Sequence, residues 1–183
     1  VCHNTPLSHA AQIFLDAKIG VRQPKTISWY GDCLHALALF TGDEKNICEI
    51  NLYDLRSWRA VLTARSLSPW TLHGYLRFAK YFFRWLLAEG FIDEDPSTRL
   101  ELPRLPKTPR KGILDADRDA MIRAVQEQPR DLAIFLFVAS TGCREGGIVT
   151  LVRRNLNMER KEALVTEKGA KSRMVFFDDE THK

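Results

Sequence analysis

Two positively charged groups stand where the regular patterning of the sequence breaks. Ser140-Thr141-Gly142-Cys143-Arg144 closes an apolar run with a glycine and then projects an arginine. A glycine there ends a helix, and an arginine on the next turn presents a planar fork of donors at the edge of a core. Such a fork can grip phosphate oxygens, although arginines after helix ends more commonly cap carbonyls or pair with carboxylates. Lys168 opens the segment Lys168-Gly169-Ala170-Lys171-Ser172 between two short strand patterns. An ammonium there either delivers a proton or is a solvated turn lysine. A third set, His73, Arg77, Lys80 and Arg84, is spaced by four, three and four residues, as one stripe along a helix. No glycine-rich phosphate loop, Ser-His-Asp order or metal-binding helix motif competes. Cys2, Cys33, Cys48 and Cys143 contain no C-x-x-C pair, and the five histidines show no ligand spacing. Idle or buried thiols, and neither a zinc site nor a disulfide framework, are therefore expected.

The elements that must position these groups can be read from period and caps. Within residues 8–20, Ile13, Phe14 and Ala17 fall at helical spacing, with Ser8 as cap and Gly20 as end. Thr26 caps a second helix through Ile27, Tyr30, Leu34, Leu37 and Ala38, ending near Gly42. Asn51 can accept the amide of residue 54, and Ile50 and Leu55 stand at hydrophobic-staple spacing, which starts a third helix. Ser68 and Pro69 open a fourth, Trp70 to Glu89, terminated at Gly90. Its apolar face is Leu72, Tyr75, Leu76, Ala79, Phe82, Phe83, Leu86 and Leu87, with the basic stripe and Thr71 opposite. Four such helices bury their apolar faces against one another, predicting a bundle over residues 5–98.

Arg99 to Gly112 then holds five basic residues against one acid, with Pro103, Pro106 and Pro109 at every third position. That composition predicts an extended linker over 99–112 rather than a polyproline ligand. In residues 113–183, Asp115 caps a helix using Met121, Ile122 and Val125, and Asp131 to Thr141 is so apolar that burial is expected. A short helical turn carries Ile148, Val149 and Leu151, and Ala163–Glu167 and Arg173–Phe177 form a β-hairpin with a basic tip.

The 183 residues are 45% hydrophobic and 27% charged, with enough apolar side chain for a folded core. No run approaches the roughly 20 apolar residues of a membrane-spanning helix, and Val1-Cys2-His3-Asn4 opens without the flanks of a signal peptide. A cytoplasmic protein with no membrane partner is expected. A net charge of +4 is modest; its concentration in one helix stripe and one linker is what suggests a polyanionic partner.

Thr141-Gly142-Cys143-Arg144, with Leu151 further on, resembles the first conserved box of tyrosine recombinases, the phage-integrase family, usually Thr-Gly-x-Arg and a helix ending in Leu. Glu167-Lys168-Gly169-Ala170-Lys171-Ser172-Arg173-Met174-Val175 is similar to that family's hairpin G-K-G-x-K-x-R-x-V, and Lys168 follows Arg144 by 24 positions. Ser68-Pro69-Trp70-Thr71-Leu72 with Phe82-Phe83-Arg84-Trp85-Leu86 resembles the last helix of the family's core-binding domain, and Asp95-Pro96 and the basic linker follow in order. The resemblance implies a mainly α chain: a four-helix, SAM-like core-binding bundle, a linker, and the truncated N-terminal part of an α+β catalytic domain with a β-hairpin.

It also implies site-specific DNA recombination or integration, as in phages and other mobile elements. A tyrosine forms a 3′-phosphotyrosyl link that a 5′-hydroxyl later reverses, without metal or other cofactor. Arg144 would hold the nonbridging oxygens and Lys168 would protonate the departing 5′-oxygen, roles that suit a delocalised fork and a flexible ammonium. DNA contacts would come from Lys25, Thr26, Trp70, Thr71, His73, Arg77, Lys80 and Arg84 in the bundle. Lys107, Arg110 and Lys111 would add linker contacts, and Lys171 and Arg173 hairpin contacts. Double-stranded DNA is the implied partner, with self-association on it, at the nucleoid of a prokaryotic cell.

Two departures stand out. The family usually places Glu or Asp three residues after the box arginine, where this chain has Gly147, so a supporting hydrogen bond is missing or supplied elsewhere. The sequence given also ends at Lys183, ahead of the family's His-x-x-Arg box and its tyrosine, and Tyr30, Tyr53, Tyr75 and Tyr81 match no nucleophile position. By itself it is expected not to cut DNA. The rival readings are a noncatalytic DNA-binding protein derived from such enzymes, which Gly147 keeps open, and a helical protein-interaction module whose basic stripe is a solvated face.

Overall fold

The computed structural model describes residues 4–107, 109, 112–167 and 169–182. The chain divides into two compact units between residues 108 and 109.

The first unit is built from α1 (Leu7–Asp16), α2 (Pro24–Thr41), α3 (Leu52–Ala64) and α4 (Pro69–Ala88), with a 3-10 turn at Ile47–Glu49. One hydrophobic core takes a face from each helix. Phe14 is its hub, with the rings of Tyr30, Phe78, Tyr81, Phe82 and Trp85 between 5.1 and 5.8 Å away. The start of α3 is a full capping box. Asn51 Oδ1 accepts from the amides of Tyr53 (2.8 Å) and Asp54 (3.2 Å), and Asp54 accepts from the Asn51 amide at 3.0 Å. Ser68 caps α4 by accepting from the Thr71 amide at 3.1 Å, with Pro69 in the first turn.

Other helix starts depart from the caps expected. Ser8 lies inside α1, whose N-cap is Pro6, and the amides of Leu7 and Ser8 donate instead to the carbonyls of Lys45 (2.9 Å) and Asp43 (3.0 Å). A distant backbone segment thus satisfies donors that a local side chain would otherwise cap. α1 also ends at Asp16 rather than Gly20. Thr26 sits within α2, which starts two residues earlier at Pro24, and Asp115 is the first residue of its helix rather than its cap. On α4, Leu87 is 40% exposed, whereas Phe78, left off the apolar face, is buried. Because α4 packs against both α2 and α3, its buried arc is rotated toward Phe14. The expectation of buried or idle thiols holds at Cys33 and Cys143 and fails at Cys48, which is disulfide-bonded. Linear cysteine spacing carries no information on which loops the fold brings together.

The second unit contains α5 (Asp115–Val125), α6 (Pro129–Thr141), α7 (Glu145–Val149) and α8 (Asp179–His182). Its antiparallel sheet runs in the order β1 (Leu156–Asn157), β2 (Glu162–Glu167), β3 (Lys171–Phe176). Phe137, Cys143, Ala163, Val165, Val175 and Phe177 form its core. The expected burial of the apolar helix is not met. Of α6 only Phe137 is buried, and Ile134 and Val138 remain 37% exposed. Among the described residues α6 packs on α5, α8 and β3, which cover only part of its circumference. The short β1 and α8 were not anticipated, since elements of two and four residues carry no readable period.

Candidate functional site

Arg144 is positioned by the end of α6. Gly142 adopts the left-handed conformation (φ 58°), its amide donating to Val138 O at 2.9 Å, and glycine makes that turn without steric cost. Thr141 Oγ1 donates to Phe137 O (2.6 Å) and accepts from the Cys143 amide (3.3 Å), pinning the turn. Cys143 is buried in the core, which leaves Arg144, the residue before α7, pointing outward with 73% of its side chain exposed.

The sheet brings a second set of charges to the same place. Antiparallel pairing sets Ala163 opposite Val175, Val165 opposite Arg173 and Glu167 opposite Lys171, so these six residues share one face. Ala163, Val165 and Val175 fill the core end of that face, and Glu167, Lys171 and Arg173 its rim. The Glu167 side chain is 6% exposed. It accepts from the main-chain amide of Arg144 at 2.8 Å, from the Arg144 guanidinium, and from Arg173 Nη2 at 3.3 Å. These donors, the Arg144 amide foremost and then Arg173, hold its carboxyl at about 2, below the ordinary 4.5. A carboxylate between two guanidiniums fixes both forks; Arg173 Nη2 donates in addition to Gly142 O at 3.4 Å, whereas Arg144 is largely exposed. Gly147, in α7, is buried against Val165 and Glu167.

Of the hairpin residues singled out from the sequence, Lys171 and Arg173 are exposed on this rim, and Lys168 lies outside the described residues. So do Arg110 and Lys111 of the linker; Lys107 is exposed. In the first unit Arg77 and Arg84 are exposed along α4, with Thr71 and a 61% exposed Trp70 at its start. Lys25 is exposed, and Thr26 and His73 are half-buried. Lys80 is placed differently from its stripe neighbours. Its ammonium donates to Thr98 O (3.0 Å) and Leu100 O (3.1 Å), tying α4 to the segment that leads into the linker.

Two basic residues escaped the sequence reading. Lys18 is buried, its ammonium 4.8 Å from the Phe14 ring centre, 5.1 Å from Trp85 and 5.6 Å from Tyr81. Arg22, one turn on, is exposed and hydrogen-bonded to Tyr81, which raises its pKa. The spacing Phe14, Lys18, Arg22 gave no usable signal, because α1 ends at Asp16 and both bases lie in the turns beyond it, where helical periodicity does not hold. Glu167, by contrast, was open to inference, since Ala163, Val165 and Glu167 alternate inward on one strand. Among the described residues no group of three or more His, Cys, Asp or Glu could hold a metal ion, and no helix is long and apolar enough to cross a membrane.

No family model matches the sequence. The chain is 30% identical over 167 residues to tyrosine recombinase XerC of Lactobacillus delbrueckii subsp. bulgaricus, covering 87% of this chain and 56% of that protein. It is 28% identical over 183 residues to tyrosine recombinase XerD of Xanthomonas campestris pv. campestris, covering 94% and 55%. The chain thus spans about half the length of the curated relatives it matches. Its fold matches the Tn1549 transposon integrase, solved with a circular intermediate DNA, at a TM-score of 0.78 and 14% identity over 97% of this chain and 62% of that one. It also matches lambda integrase bound to a COC′ core site at a TM-score of 0.78 and 13% identity, over 93% and 48%. The chain is thus similar over most of its length to tyrosine recombinases, and its mainly helical fold with a small antiparallel sheet is that of the corresponding part of these integrases.

Proposed function

We propose that this chain is the DNA-gripping part of a site-specific recombinase or integrase, supplying Arg144 and Lys168 to a strand-transfer site. The observation that carries this reading is the Arg144 guanidinium, held by Glu167 yet on a side chain that is 73% exposed, beside Arg173 and Lys171. A permanently charged fork that is held in place yet exposed is suited to the nonbridging oxygens of a phosphodiester. Residues 5–98 and 113–183 act as two DNA-binding domains joined by the basic 99–112 linker. Arg77, Arg84, Thr71, Trp70 and Lys25 meet the duplex from the bundle, and the linker and hairpin bases add further phosphate contacts. Weak sequence preference is expected, since phosphate contacts outnumber candidate base readers. The protein works on prokaryotic nucleoid DNA and self-associates there.

Titrating a labelled mixed-sequence duplex at several salt concentrations tests this. Affinity should fall linearly on a log–log plot with a slope reflecting several released counterions. Absence of binding at low salt, or binding indifferent to salt, overturns the proposal.

A further inference from the structure

Arg144 has an unusual holder. Gly147 is buried in α7, where its missing side chain would face Val165, Glu167 and Cys143. A Cβ built there would lie 3.4 Å from Val165 Cβ, 3.5 Å from Glu167 Cγ and 3.8 Å from Cys143 Cβ. These are ordinary contact distances, so a methyl group fits; a longer side chain would enter the volume that the Glu167 stem occupies. From that volume the Glu167 carboxylate reaches both the amide and the guanidinium of Arg144, while Arg173 donates to it from β3. The helix α7 and the strand β2 therefore offer two alternative roots for one carboxylate at one place, and this chain uses the strand.

We infer that Glu167 is the positioning residue for Arg144, delivering from β2 the carboxylate that position 147 lacks, and that Gly147 and Glu167 form an exchangeable pair. The inference rests, for its functional meaning, on the reading of Arg144 as a phosphate-gripping group. Glu167 does not touch DNA. It fixes the direction of the exposed fork without the entropy cost of ordering a long side chain at the moment of binding.

Two measurements on the whole chain decide the matter. The first is the arginine side-chain nitrogen NMR spectrum, which reports rotation of the Arg144 guanidinium without any ligand. Rotation should be slow in the native chain, fast in Glu167→Gln, and slow again in Gly147→Glu combined with Glu167→Ala. Glu167→Asp, which keeps the charge but shortens the stem, should give an intermediate rate. Equal rotation in the native chain and Glu167→Gln, or no recovery in the paired exchange while the variant remains folded, overturns the inference.

The second measurement is a double-mutant cycle on affinity for a mixed-sequence duplex. Arg144→Ala should lower affinity several-fold in the native background and less than twofold in the Glu167→Gln background, and the paired exchange should restore its effect. A purely electrostatic ion pair predicts the opposite, because removing the Glu167 charge would strengthen the pull of Arg144 on phosphate. An equal or larger Arg144→Ala effect in Glu167→Gln therefore overturns the inference. A chain that binds no duplex overturns the proposed function instead, and the guanidinium spectra then decide the positioning role alone.

Discussion

The main-chain amide and the guanidinium of Arg144 both donate to the single carboxylate of Glu167, 23 residues away on β2. One side chain thereby fixes the end of α6 to the sheet and sets the direction of the exposed fork. The pH consequence follows from the depressed carboxyl. Its folded value of about 2 lies below the ordinary 4.5, so its contribution to stability is complete above about 4.5 and is lost as pH falls through about 2. In urea unfolding at a series of pH values, native chain should exceed Glu167→Gln in stability near neutrality, and the gap should close on acidification across that window. A gap independent of pH would disconnect the ionisation of Glu167 from folding.

The basic residues of α4 divide into two kinds. Arg77→Ala and Arg84→Ala should each reduce the salt slope of duplex binding by roughly one unit per lost phosphate contact, with little effect on folding. Lys80→Ala should instead release residues 98–101, because its ammonium holds two of their carbonyls. Limited trypsin digestion should then cut faster after Arg99 and Arg104 than in native chain, and an unchanged digestion rate would count against that tether.

Caps give a stability contrast. Asn51→Ala removes a side chain that accepts two amides and should cost about 1–2 kcal/mol. Ser8→Ala, where the first amides of α1 are already satisfied by backbone carbonyls, should cost no more than about 0.5 kcal/mol. Chemical denaturation of the two variants side by side checks the ranking.

Lys18 should matter through its rings. Lys18→Met keeps most of the stem and removes the charge, and is expected to lower stability by about 1–2 kcal/mol if the desolvated cation–π contacts with Phe14, Trp85 and Tyr81 are favourable. A more stable methionine variant would show that burying the ammonium costs more than the rings return.

Where a signal is local, the sequence carried it. The Asn51 box, the Ser68–Pro69 start and the Gly142 stop depend on neighbours within a few residues and stand in the structure; the hairpin also forms, but its second strand starts at Lys171 rather than Arg173, with Lys171 opposite Glu167. Where the partner is remote, sequence reasoning misplaced the element. The start of α1 is satisfied by carbonyls 35 or more residues away, and the exposure of α6 depends on what packs against it rather than on its own composition. The site divides the same way. Arg144 announces itself through its turn, whereas the Glu167 contact needs the sheet to close against α7, and the fate of Lys80 depends on a carbonyl 18 residues downstream.

The anchoring of residues 98–101 also alters the mechanics of the basic segment. Lys80 holds the carbonyls of Thr98 and Leu100, Arg59 donates to Glu101 O at 3.3 Å, and Leu100 is buried, so the first three residues of the nominal 99–112 linker belong to the bundle. An extended Pro-rich leash reaches about 3.1 Å per residue, and removing three residues shortens it by roughly 9 Å. A shorter leash confines the search of a second binding unit once the first has engaged, and so raises its effective concentration. On the proposed reading, avidity for a long polyanion is in this way set partly by a lysine whose ammonium is spent on two main-chain carbonyls.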